Sequence, residues 1–204
     1  QYSFQPVSYA LISFSMRYKY ETRGIVLSRT PSGEANAFVI LITSGLGLVR
    51  ARAQGVRRPG AKLAAALTTC AESELVLVRG KEGWRIAGAI LEENWFVRLH
   101  HPSVRMRASR VSGLLLRLVT GETPDPALFP IMNGFFEALA VFPEDTHEAV
   151  EMLAALRVLA ALGLDAGEIP GEMSEFTPPV LSAVMEGRSH YIARINHGIA
   201  ASGL

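Results

Sequence analysis

Five cations fall within the seventeen residues Gly47–Leu63 (GLVRARAQGVRRPGAKL): Arg50, Arg52, Arg57, Arg58 and Lys62, with no carboxylate among them. From Leu48 to Gln54 apolar and polar residues alternate. In a strand this sends Val49, Ala51 and Ala53 to one face and Arg50, Arg52 and Gln54 to the other. Gly55 permits a sharp turn, and Pro59 and Gly60 keep the following basic segment out of helix. Cations on one strand face and its exit loop suit a partner dense in negative charge, and nucleic-acid phosphate is the commonest such partner. A solvated basic face is the alternative. Further along, Lys81 and Arg85 flank Trp84, an aromatic beside an exposed turn and placed to stack on a base. Phe38, Trp95 and Phe96 are expected to serve the core.

Residues for bond-breaking chemistry are scarce. There is no phosphate-cradling glycine motif, no nucleophile elbow and no zinc-protease motif. His100 and His101 stand beside Pro102 without a nearby carboxylate or nucleophile, which predicts a surface or junction role. Glu92 and Glu93 are neighbours on a strand and face opposite sides. Cys70 reads as a small buried hydrophobe. As the one cysteine it makes no internal disulfide, which fits a reducing cytoplasm, and it has no partners for a zinc site.

The elements that must position these residues come in two kinds. Strands are predicted over Tyr20–Arg29, Asn36–Thr43, the basic stretch from Leu48, Cys70–Gly80 and Trp84–Trp95. Turns are expected at Thr30–Gly33, Ser44–Gly47 and Lys81–Gly83, and a short helix at Leu63–Thr69. Five short strands with glycine-rich turns imply a small Greek-key barrel. The OB-fold is the first candidate and an SH3-like barrel the second. After His100–Pro102 the periodicity becomes helical. Helices are predicted over Val104–Val119 with Ser103 as N-cap, Ala127–Phe142, and Thr146–Leu162 with Thr146 as cap. A loop follows over Asp165–Pro179, then short closing helices at Val180–Glu186 and Tyr191–Ala201. The fold class is therefore α+β: a five-stranded barrel over residues 16–98 and an all-α domain over 103–204, with residues 1–15 an N-terminal extension of undecided status.

Charge supports that division. Residues 1–110 hold 16 Lys and Arg against 7 Asp and Glu, a balance of +9, while residues 111–204 hold 4 against 12, a balance of −8. Such asymmetry suggests two modules with different partners, or two halves that attract each other. No apolar run approaches the ~20 residues of a membrane span.

The order ETRGIVLSR, GEANAFVILIT, GLGLVRARAQGVRRPGAKL, ESELVLVRG resembles the N-terminal domain of the RecO family of bacterial recombination mediators. The helix ending LRVLAALGL (Leu156–Leu164) resembles that family's helical-domain motif. There are departures. Ala61 stands where the family loop usually carries Ser, and Asp165–Pro179 lacks the four-cysteine zinc module of many members. The resemblance implies an OB-fold joined to a helical domain, with no cofactor or metal. It implies binding of single- and double-stranded DNA, annealing of complementary strands, and help in loading RecA onto DNA coated by single-stranded DNA-binding protein (SSB). The implied partners are DNA, RecR and the SSB tail, whose end is acidic and closes on an apolar residue with a free carboxylate. Arg117, one turn after Gly113, and Arg157, among leucines, are the expected cations for that carboxylate. From residues alone, an RNA- or ribosome-associated barrel remains the main alternative, and a small hydrolase a more distant one.

Overall fold

The computed structural model describes residues 18–119 and 121–203; the expected extension at 1–15 lies outside them. Five strands form a closed barrel in the order β1-β2-β3-β5-β4. They are β1 (Lys19–Ser32), β2 (Asn36–Thr43), β3 (Gly47–Ala53), β4 (Ala71–Gly80) and β5 (Gly83–Asn94). Neighbouring strands are antiparallel except β3 and β5. Their short parallel pairing, Ala51 with Trp84 and Arg52 with Arg85, closes the ring. This is the OB-fold, with helices following it.

Alternation builds the barrel core. Val39 and Leu41 of β2, Val49 and Ala51 of β3, Leu75 and Leu77 of β4 and Ile86 of β5 fill it. The intervening residues point outward, which places Phe38, Arg50 and Arg52 on the outer face. A second core joins the barrel base to the helices: Ile25, Ile42 and Leu48 pack in one cluster with Trp95, Phe135, Phe136 and Leu153.

The helices are α1 (Trp95–Arg98), α2 (Pro102–Leu118), α3 (Leu128–Val141), α4 (His147–Ala161), α5 (Pro178–Glu186) and α6 (Arg188–Ala201), with a 3-10 turn at Glu144–Thr146. Helix α4 is the central element and touches α2, α3, α5 and α6. Its run from Met152 to Leu159 is buried throughout.

Local chemistry corrects several expectations. Strand β1 runs through Pro31 to Ser32 instead of turning at Thr30. Beyond Ile25 it pairs only with β2, so the missing proline N–H leaves no second ladder broken. Leu63–Thr69 folds as successive turns rather than a helix, with i to i+3 bonds such as Ala64 N–H to the Ala61 carbonyl. Leu67 is fully buried there, so packing overrides helix propensity. Strand β5 stops at Asn94, whose side-chain oxygen accepts from Val97 N–H and starts α1. His101, not Ser103, occupies the N-cap of α2, because Pro102 takes the first helical position. The Thr146 hydroxyl donates to the Pro143 carbonyl and makes no cap bond to α4. Helix α6 begins three residues before its expected start.

Gly47 lies where a crossing segment needs it. Its φ is +67°, and a Cβ there would stand 2.0 Å from the Thr123 carbonyl oxygen. The segment after α2 crosses β3 at this point, with Leu48 and Thr123 exchanging backbone hydrogen bonds of 2.8 and 3.1 Å.

Candidate nucleic-acid interface

The parallel β3–β5 contact brings separate stretches of sequence to one end of the barrel. Arg52 of β3 sits opposite Arg85 of β5, and Phe38 of β2 sits opposite Arg52. These three, with Gln54, Val78 and the turn from Gly80 to Trp84, line a groove of about 660 Å³. Lys81 stands exposed on its rim, and Glu82 supplies one opposing charge. Four of the predicted residues, Arg52, Lys81, Trp84 and Arg85, thus share one groove.

Two aromatics in this region carry cations. The Arg50 guanidinium lies 4.2 Å from the centre of the Phe38 ring, and that of Arg79 lies 4.9 Å from the centre of the Trp84 ring. Tyr20 meets Trp84 edge-on at 5.1 Å. These contacts fix the orientation of both rings on the outer strand surface. Arg52 Nε is buried without a hydrogen-bond partner among the described residues, an arrangement that an incoming acceptor would relieve.

The remaining cations belong to the adjoining loop. Gly55, at φ +66°, turns the chain after β3, and its N–H donates to the Asn36 side chain at 2.9 Å. Arg57 donates from its backbone N–H to the Ala35 carbonyl and from Nη1 to the Gly33 carbonyl at 2.7 Å. The basic loop is therefore fastened to the β1–β2 turn, beside the strand end that carries Phe38. Arg58 and Lys62 are exposed, and neither has an ion pair among the described residues. Gln54 falls on the face expected for it. Phe38, expected in the core, instead lines this groove; Phe96, also expected in the core, is exposed; and Arg79 was not singled out. With Ala37, Val39 and Leu41 inward, the pleat sends Phe38 outward beside the arginines, whereas the apolar run NAFVILIT does not say which of its two faces points in. Arg79 carried no signal, since its place over Trp84 depends on the β4–β5 turn.

The two arginines expected on the helical half separate. Arg117 is exposed on α2 and has no ion pair among the described residues. It borders an apolar groove of about 690 Å³ between α2, α4 and α6, formed by residues such as Val111, Leu114, Met152 and Ile199. Arg157 does not reach this groove, which corrects its expected role. It is 0% exposed because it projects from the central helix. Its guanidinium lies over Phe176 at 4.8 Å, and Nη2 donates to the Pro170 carbonyl at 3.1 Å. Burial pulls its pKa down to about 10, with Glu175 opposing the shift.

Burial also pushes the Cys70 thiol up to about 11. On α6, Arg194 holds Asp165 below the usual carboxylate range through two hydrogen bonds, of 3.0 and 2.5 Å. His100 and His101 are exposed at the start of α2. Among the described residues no group of three or more His, Cys, Asp or Glu is placed to hold a metal, and no described helix is long and apolar enough to cross a membrane.

Comparison with known proteins agrees with this architecture. Residues 16–92 match the family model for the recombination protein O N-terminal domain. The chain is 34% identical over 200 residues to the DNA repair protein RecO of Heliobacterium modesticaldum, covering 90% of this chain and 70% of that one. It is 29% identical over 171 residues to the RecO of Rubrobacter xylanophilus, covering 78% and 67%. Against the RecO of Dehalococcoides mccartyi it is 28% identical over 122 residues, and the match spans 48% of that relative. The matched length runs through barrel and helices in the first of these, and on that ground the chain belongs to the RecO family.

Proposed function

We propose that this chain is a DNA-binding recombination mediator whose barrel end holds single strands. The observation that carries this reading is the groove that gathers Arg52, Lys81, Trp84 and Arg85 beside the loop of Arg57, Arg58 and Lys62. Cations there track phosphates without reading sequence, and ring faces accept any base. Such a surface holds a strand extended and unpaired, the state from which a complementary strand zips. The activity proposed is accordingly annealing, with no covalent step, and assistance to RecA on SSB-coated DNA in company with RecR.

The helical groove is proposed to take the SSB tail. It offers apolar walls for the terminal side chain, and Arg117 is free to meet the carboxylate. Annealing of two complementary labelled oligonucleotides, monitored by energy transfer, tests the main reading. Acceleration by the protein in proportion to its concentration supports it. An unchanged annealing rate, with oligoribonucleotides bound more tightly than DNA, would favour an RNA-binding role instead.

A further inference from the structure

Helix α2 carries four arginines and no carboxylate, in a helical half that is otherwise acidic. Arg105 is committed to the backbone carbonyls of Phe96 and Leu99. Arg110 and Arg117 border the apolar groove, and so does one carboxylate, Glu151 of α4. Arg110 donates to both oxygens of Glu151, from Nε at 2.5 Å and from Nη2 at 2.7 Å. Arg107 adds a third bond, from Nη1 at 2.6 Å. The fork that would grip an incoming carboxylate is thus already filled by the protein's own anion, while Arg117 stays open.

We propose that Glu151 is a built-in competitor that sets the groove's affinity for an acidic peptide ending in an apolar residue with a free carboxylate. This rests on the tail-binding reading of the groove. The bidentate pair joins an exposed Arg110 to a partly buried Glu151 and satisfies both, so a peptide carboxylate gains little by exchanging places with it. Arg117 then makes the charged contact alone, and binding is held weak enough to release. Removing the Glu151 charge frees Arg110 and gives the peptide a second cation at the groove.

The test uses fluorescence anisotropy with a labelled acidic peptide ending in phenylalanine, as the free acid and as the C-terminal amide. The full chain is compared with Glu151→Gln, Arg110→Gln and the double variant, each checked by circular dichroism. The free acid is expected to bind the wild type better than the amide. Glu151→Gln is expected to bind it about fivefold more tightly. Arg110→Gln alone should stay within about twofold of wild type, and in the double variant the gain should vanish, a coupling that independent sites do not show. If the wild type binds neither peptide, the tail-binding reading of the groove fails and the competitor role with it. If the wild type binds and folded Glu151→Gln binds equally or more weakly, the groove reading survives and the competitor role is overturned. Should Glu151→Gln not fold, Arg110→Gln decides: near-wild-type binding supports an occupied Arg110, and a tenfold or greater loss shows that Arg110 already serves the peptide.

Discussion

Trp95 donates from its indole N–H to a Glu72 carboxylate oxygen at 3.1 Å, a bond from the first turn after the barrel back to strand β4. The other Glu72 oxygen accepts from Arg23 of β1. The Trp95 ring stacks on Phe136 of α3 at 5.9 Å. Glu72, 2% exposed, therefore ties two strands to the helical half through one carboxylate. Glu72→Ala leaves a buried indole N–H without an acceptor. It should lower stability by roughly 2–3 kcal/mol, read from urea unfolding followed by tryptophan fluorescence. Unfolding at the wild-type midpoint would show that this junction contributes nothing.

Arg157 imposes a cost of the opposite kind. Its folded-state pKa of about 10 lies below the ordinary arginine value, so the charged form is less favourable in the folded chain than in the unfolded one. The penalty is complete below about pH 10 and lifts as pH rises from there toward the ordinary arginine value. Nε and Nη1 have no hydrogen-bond partners among the described residues. Arg157→Met should therefore raise the stability at pH 7 by about 1 kcal/mol, as when an apolar residue replaces a poorly compensated buried charge. A loss of stability in the same urea titration would mean that the contacts to Pro170 and Phe176 outweigh the desolvation.

Cys70 gives a test based on proton loss. With its thiol at about 11 against an ordinary 9.0, the folded chain presents about a hundredfold less thiolate at pH 8 than an exposed cysteine. Alkylation by iodoacetamide, followed by intact mass, should be slower by about that factor and reach the normal rate in denaturant. Because the unfolded chain releases the proton first, this residue's contribution to stability is present below pH 9 and fades between 9 and 11. Alkylation of the native protein at the denatured rate would contradict the burial.

Much of the barrel was legible because β3 states its faces by alternation and β2 is marked by an unbroken apolar, β-branched run. Asn36–Thr43 runs from its first residue to its last as the pattern predicts. The basic face of β3 was legible for the same reason. Long-range geometry was not: nothing local in Trp84 or Arg52 announces a parallel pairing that spans the intervening β4. Arg157 shows the opposite failure. Its leucine neighbours mark a buried helix, and a central helix can bury a guanidinium on any side, so the helix was legible and the exposure was not. Ser103 lost the cap because Pro102 before it fits the first helical position better.

The central claim is that the barrel end grips the phosphates of a single strand. Its most direct test is the affinity of an unstructured oligodeoxynucleotide at several salt concentrations, for the wild type and for Arg57→Glu/Arg58→Glu, with fold checked by circular dichroism. Each lost phosphate contact on a single strand lowers the steepness of log affinity against log salt by ~0.7. The double variant should bind more weakly whatever the oligonucleotide sequence, with a slope shallower by about 1.4. A folded double variant with the wild-type affinity and slope would contradict the claim and leave the loop as a solvated basic surface.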